Sequence, residues 1–299
     1  MRVVFLIILL FMMGPGLKTL QAQDDLMDLL DEEPVIEYST AAFKASKIVL
    51  GQSIENAPRG GLVFGISHHF GRINSGWYEF FGLDQANIRF SFDYGVTDWL
   101  TLGIGRTSTG KVFDGSAKVK LLRQSTGKRN MPISISYWGN ITISSLKWSE
   151  PERENYFSSR MEYGHQLLIA RKFNSNLTLQ LTPTLIHRNL VATAEDQNTV
   201  FSIGAGGRYK ISSRVSFNIE YYYLLPGKTA DDFYNSFSFG VDIETGGHVF
   251  QLFLTNSLGL IEQQFIPETT GNWLYGDIHI GFNIHRTFQI KKPKTPEEH

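Results

Sequence analysis

The chain has 299 residues, with 28 Lys and Arg against 29 Asp and Glu, a net charge of −1. This balance carries neither the basic excess of a nucleic-acid binder nor the acidity of a disordered chain. The absence of Cys excludes disulfides, thiolate metal sites, Cys nucleophiles and lipid attachment through an N-terminal Cys. With 22 Phe and 12 Tyr, the aromatic content favours strands.

The N-terminus has the pattern of an export signal. Arg2 precedes an unbroken apolar run of 11 residues, Val3–Met13, which Gly14-Pro15-Gly16 breaks, and cleavage is expected after Ala22. The run falls short of the about 20 apolar residues that a membrane-spanning helix needs. Removing Met1–Ala22 takes Arg2 and Lys18 with it and moves the net charge from −1 to −3. Residues 23–59 are expected to form an acidic periplasmic segment. Within it Asp24–Glu33 (DDLMDLLDEE) is too short for a stable isolated helix, and Lys47–Ile54 is a candidate extra strand.

From Gly60 to Phe288 the periodicity predicts twelve strands, over 60–70, 86–94, 99–106, 114–123, 131–146, 160–173, 177–187, 199–211, 214–225, 233–244, 248–256 and 275–288. Alternation is clear in most. Ile88, Phe90, Phe92 and Tyr94 oppose Asn87, Arg89, Ser91 and Asp93, and Phe217, Ile219, Tyr221 and Tyr223 oppose Ser216, Asn218 and Glu220. In Tyr163–Phe173 the run Leu167-Leu168-Ile169 breaks the parity. The stretch Phe237–Thr255 reads as two alternating arms joined by Thr245-Gly246-Gly247, a tight hairpin because Gly tolerates positive φ. A polar tail, 289–299, closes the chain.

The connections alternate long and short from the first strand to the last, as in transmembrane barrels with tight periplasmic turns and longer outer loops. An even strand count returns both termini to the periplasm. The 229 residues from Gly60 to Phe288 give about 19 per strand and connection, which suits strands of about 9–11 residues crossing a bilayer. Trp99, Phe173, Tyr209 and Phe288 stand near strand ends, where interfacial aromatics belong. The expected fold is therefore all-β, a transmembrane antiparallel up-and-down β-barrel of about 12 strands. Gly60–Phe70 is expected to pair antiparallel with Tyr275–Phe288 and close it.

Several segments together are familiar: FFGLDQANIRF (80–90), LLRQSTGKRNMP (121–132), ENYFSSR (154–160), QLLIARKF (166–173), PTLIHRNLV (183–191) and DIETGGHVFQL (242–252). From about Phe43 to Phe288 the chain resembles an uncharacterised family of bacterial outer-membrane β-barrel proteins, a domain of unknown function. The resemblance implies an outer-membrane barrel and brings no activity or catalytic residue with it.

Nothing in the sequence assembles a catalytic, cofactor or metal site. The Ser-Thr-Gly-Lys of Gln124–Asn130 lacks the first phosphate-loop glycine, because that position is Leu122, and no helix follows. Gly204-Ala205-Gly206-Gly207 sits inside a strand, where glycine opens space or permits bending. His279 and His285 share a face but lie about 20 Å apart along a strand. On polar parity the expected lumen-lining residues are Arg89, Asp93, Lys118, Lys120, Glu162, Arg208, Glu220, Asp242, Asp277, His279 and His285. Barrels of about eight strands are filled and those of about sixteen are open, so twelve points to a narrow or plugged barrel. The expectation is a non-enzymatic outer-membrane barrel, surrounded by lipid, that passes or binds a small polar solute through a polar lumen. The alternative is a non-conducting structural barrel docking a periplasmic protein. No nucleic acid and no cofactor are expected.

Overall fold

The computed structural model describes residues 35–226 and 233–291. The expected signal segment, the Asp24–Glu33 stretch and most of the polar tail lie outside them. Fourteen strands occur among the described residues: β1 (Ile36–Tyr38), β2 (Gly61–Arg72), β3 (Ala86–Gly95), β4 (Leu100–Thr107), β5 (Val112–Leu122), β6 (Ser125–Gly127), β7 (Ser134–Ser144), β8 (Met161–Lys172), β9 (Leu177–Arg188), β10 (Thr199–Lys210), β11 (Val215–Leu224), β12 (Ser236–Thr245), β13 (His248–Thr255) and β14 (His279–Gln289). Twelve of them form one closed antiparallel barrel in which each strand pairs with the next, and β14 returns to β2. The remaining two, β1 and β6, make a small antiparallel ribbon. That ribbon lengthens the connection between β5 and β7, one of the turns at the short-turn end.

Ile284 stands opposite Ile66 and Phe282 opposite His68 across the closing pair, so closure has the expected partners and parity. The β12–β13 hairpin pairs Thr245 with His248 around Gly246-Gly247, and Gly247 has φ +100°. The last strand begins at His279 rather than at the expected Tyr275, which instead ends a 3₁₀ turn, Trp273–Tyr275. It is capped by the Asn272 side chain and ended by Gly276 at φ +74°.

Parity decides the environment. Along β2 the buried positions are Gly61, Val63, Gly65, Ser67, His69 and Gly71, while Leu62, Phe64, Ile66 and Phe70 lie on the outer side. Elsewhere the outer side carries exposed Phe90, Phe92, Leu102, Ile104, Phe201, Ile219 and Leu252. A continuous apolar belt around small and polar inward positions is the reverse of a water-soluble sandwich. It fits strands that meet hydrocarbon and satisfy their backbone by closing. Trp99, Phe173, Tyr209 and Phe288 are all exposed at the barrel end that carries the short turns, here the turn end. Tyr221, Tyr223, Phe237 and Trp273 gather at the opposite, loop end.

Lys47–Ile54 is not a strand. It is the far end of a hairpin that fills the barrel, with one bridge between Lys47 and Gln52 and no strand beside it. The segment expected to hang in the periplasm is therefore inside the wall from about Phe43 to Ala57.

Candidate functional site: a plugged lumen

The chain rises along the β1–β6 ribbon, turns into the lumen after Tyr38, and comes out at Arg59, which bridges Gly95 at the turn end. Between these points it folds back on itself. Ser53 N–H donates to Ser46 O, Ile48 N–H donates to Gly51 O, and Ser53 Oγ donates to Ala45 O. The tip, Ile48-Val49-Leu50-Gly51, points three successive N–H groups at one carboxylate. Glu220 accepts from Val49 at 3.2 Å, Leu50 at 2.6 Å and Gly51 at 3.2 Å. Successive amides converging on an anion form a nest, and their partial charges replace the water that a buried carboxylate has lost.

The carbonyl side of the hairpin is held by cations and amides of the wall. Lys118 Nζ donates to Ser46 O, Ser53 O and Glu55 O at 3.0–3.3 Å, spending all three of its donors on one hairpin. Arg208 Nη1 donates to Ala41 O and Ala42 O, both at 3.0 Å. Gln180, Gln251 and Asn283 donate to Gln52 O, Ile48 O and Val49 O. Asp242 accepts from Gln251 Nε2 at 2.8 Å and so orients that amide. Lys44 pairs with Glu244 of β12.

A second insertion comes from the loop end. After β13 the chain dips inward through Leu260, Ile261, a single helical turn Glu262–Phe265, and Ile266. Gln263 and Asn140 exchange two amide hydrogen bonds of 3.2 and 2.7 Å. Gln264 donates to Thr109 O, and Arg188 Nη1 donates to Glu268 at 3.0 Å. The two insertions touch where Gln52 Nε2 donates to Glu262 and Lys47 Nζ reaches Leu260 O.

Around that junction lies an apolar core. Ile48, Val49, Leu50, Phe265 and Ile266 pack with inward-facing Trp138, Leu168, Ala170, Ile186, Val200, Tyr222 and Phe253 of the wall. This is the reason for the parity break in Tyr163–Phe173. Leu168 points inward like a lumen residue and is fully buried, because what it meets is plug and not water.

The sequence-predicted lumen residues fall into groups. Arg208, Glu220, Asp242 and Lys118 hold the hairpin as described. Arg89 is paired with Asp114, with Nη2–Oδ1 at 2.7 Å, toward the loop end. Asp93 lies beside Lys118 and Trp138 against a cavity of about 10 Å³, and Lys120 beside Glu55 against one of about 20 Å³. Glu162 accepts from Thr142 Oγ1 at 3.3 Å, near the loop end. His279 Nδ1 donates to Phe70 O at 2.8 Å where β14 begins. His285 lines a larger cavity at the turn end.

Asp277 departs from the expectation. It precedes β14 and stands on the rim, where Asn74 Nδ2 at 2.8 Å, Asn272 N–H at 3.1 Å and Arg72 at 3.3 Å engage its carboxylate. Asn74 also donates to Tyr275 O, so this cluster clasps the β2–β3 loop to the β13–β14 loop. The Asn74 hydrogen bond, followed by that of Asn272, holds the Asp277 carboxyl below the usual carboxylate range. Strand parity extrapolated back beyond His279 misplaces this residue.

The sequence reading missed Lys47, Gln180, Gln251 and Asn283. Their polar character was plain, but their partners are backbone atoms of the hairpin, which no side-chain pattern announces. Among the described residues no group of three or more His, Cys, Asp or Glu side chains is placed to hold a metal ion.

Among solved structures the chain is similar to the NanC porin, at 9% identity and a TM-score of 0.47, covering 76% of this chain and 98% of that one. It is similar to the KdgM porin at the same identity and TM-score, covering 76% and 99%. No curated protein matches the sequence. The family profile described as "Membrane bound beta barrel domain (DUF5777)" matches residues 43–288. Its span begins at Phe43, so it takes in the hairpin as well as the wall, and the chain belongs to this family of membrane-bound β-barrel domains.

Proposed function

We propose that the protein is an outer-membrane channel for a small polar solute, held shut by its own N-terminal hairpin. The observation that carries this reading is the nature of the plug–wall contact. Lys118, Gln180, Arg208, Gln251 and Asn283 donate to hairpin carbonyls, and Glu220 accepts from hairpin amides. Every one of these groups hydrates readily. When the hairpin leaves, water can take over these bonds, and the stretch of lumen they line becomes polar and wet. The export pattern of residues 1–22 supports the outer-membrane placement, with the turn end in the periplasm, and we assign the barrel no catalytic role.

The test is conductance in planar bilayers and solute flux into proteoliposomes. The wild type is expected to be nearly silent. A variant in which residues 42–56 are replaced by a short Gly-Ser linker is expected to conduct. Val49→Cys with Asn283→Cys is expected to abolish residual flux when oxidised and to restore it when reduced. A hairpin-less variant that still shifts on heating in detergent gels, yet conducts nothing, would sink the channel reading.

A second reading has its own observation. The apolar junction of Ile48, Val49, Phe265 and Ile266 with the wall is as deeply buried as a soluble core. It favours a non-conducting barrel whose periplasmic segment docks a partner, and silence of the hairpin-less variant would support it.

A further inference from the structure

The wall grips the hairpin by its main chain. Lys118 donates to Ser46 O, Ser53 O and Glu55 O, Arg208 donates to Ala41 O and Ala42 O, and Lys172 Nζ donates to Thr40 O at 2.7 Å. In the other direction Glu220 accepts from the N–H groups of Val49, Leu50 and Gly51, and Thr101 Oγ1 accepts from that of Ala57 at 3.0 Å. Among the described residues, Lys44 with Glu244 is the one polar pairing between a hairpin side chain and a wall side chain. The other polar side chains of the hairpin turn elsewhere: Ser53 Oγ donates to Ala45 O, Gln52 Nε2 to Glu262 and Lys47 Nζ to Leu50 O. The wall therefore reads groups that every peptide carries.

The two charged stations near the tip have opposite sign and stand apart. Glu220 on β11 holds the tip, and Lys118 on β5, across the barrel, holds carbonyls from Ser46 toward the root. Ser46 and Val49 are three residues apart, at most roughly 10 Å of chain.

We propose that the small polar solute of this barrel is a peptide of about three residues, with free ends and apolar side chains, which takes the place of the hairpin tip. Its α-ammonium offers Glu220 three N–H donors from one atom, where the tip supplies three from successive residues. Its carboxylate meets the ammonium of Lys118, a charge-assisted pairing. Its carbonyls meet the side-chain amides of Gln180, Gln251 and Asn283, which now donate to Gln52 O, Ile48 O and Val49 O. Apolar side chains suit the walls that Ile48, Val49 and Leu50 vacate, Leu168, Ile186 and Tyr222 among them. A neutral sugar brings no charge to Glu220 or Lys118 and leaves both to water. A single amino acid falls short of the distance that the hairpin spans between them. That the peptide is carried across the membrane rests on the channel reading, whereas its displacement of the hairpin does not.

The test uses the full-length protein in detergent and reads tryptic cleavage at Lys44 and Lys47, which the inserted hairpin holds inside the wall. Trialanine, which trypsin leaves intact, is titrated to about 100 mM, because a tethered plug competes at an effective concentration on the order of millimolar. Saturable acceleration of cleavage by about threefold or more is expected. Tri-N-methylalanine, which has no amide N–H, and the neutral trisaccharide raffinose are expected to need about tenfold more or to have no effect. Glu220→Gln is expected to raise the half-saturating trialanine concentration about tenfold, whatever it does to the basal rate, while Arg72→Gln on the loop-end rim leaves it unchanged. The proposal is overturned if trialanine leaves wild-type cleavage unchanged, if either control probe acts at the same concentration, or if Glu220→Gln responds like wild type. The three probes on wild type decide even where a variant does not insert. A hairpin-less barrel that conducts nothing sinks the channel and leaves this result standing. A conducting barrel whose hairpin ignores trialanine sinks the peptide alone.

Discussion

Glu220 receives three amide hydrogens from the hairpin tip, and among the described residues no other wall side chain grips the tip by its N–H side. Glu220→Ala would leave those donors buried and unpaired, at about 1–3 kcal/mol for each one that water does not reach. The expected result is faster tryptic cleavage at Lys44 and Lys47 and higher conductance, with Glu220→Gln intermediate because it keeps one acceptor oxygen. Unchanged cleavage in both variants would remove Glu220 as the anchor. The rim clasp makes a second prediction at this scale. Because the folded pKa of Asp277 is depressed, its contribution is complete above the ordinary carboxylate pKa and is lost as pH falls through the folded value. The clasp is expected to hold from neutral pH to about pH 4 and to loosen below it. Spin labels on the β2–β3 and β13–β14 loops should report the separation, and Asn74→Ala should shift it to higher pH. Parity placed Glu220 and Arg208 on the inner face from sequence alone. It was silent about their partners, because a main-chain amide has no letter in the sequence.

The strands were legible because their outer positions meet a single solvent, lipid, so apolar residues recur at period 2 along β12 from Phe237 to Ile243 and along β2 apart from His68 and Arg72. Inner positions meet two environments, and the pattern blurs where the plug packs. Leu168 and Ala170 of β8 are the example, buried alongside Gly164 and Gln166 on the same face. The consequence reaches mutagenesis. Phe282→Arg on the lipid face of β14 is expected to cost about 2–4 kcal/mol near the midplane. On a water-filled lumen Ser238→Arg would be mild. Here Ser238 is fully buried and its Oγ donates to Thr255 Oγ1 at 2.9 Å, so Arg at 238 is expected to destabilise the plugged barrel too. Removing the hairpin should relieve the Ser238→Arg penalty and leave that of Phe282→Arg intact. Urea titrations of the four proteins in lipid would measure both differences, and equal relief at the two positions would contradict the assigned facing.

For the molecule as a whole, closure between β14 and β2 removes the only two free edges of the wall. Cysteines at Ile66 and Ile284, which stand directly opposite, are expected to crosslink. Deleting residues 275–299 is expected to abolish insertion, since each unpaired backbone group facing lipid costs several kcal/mol. A truncated chain that still inserted and shifted on heating would mean that the wall can close elsewhere. The even strand number and the pairing of first with last strand were readable from alternating loop lengths. The strand number pointed to a narrow or plugged bore, but the segment that fills it was not readable, because the hairpin's short, mixed stretch has neither a strand partner nor a helical period.

The hairpin enters and leaves the barrel at the same end, beside β6 and beside Gly95. Among the described residues it is an inserted bight, both of whose ends lie at the turn end. The wall can therefore close before the plug arrives, and the plug can retreat without unthreading or breaking a single strand pair. A stopper built this way is reversible by topology, because it can come and go while every seam of the ring stays shut.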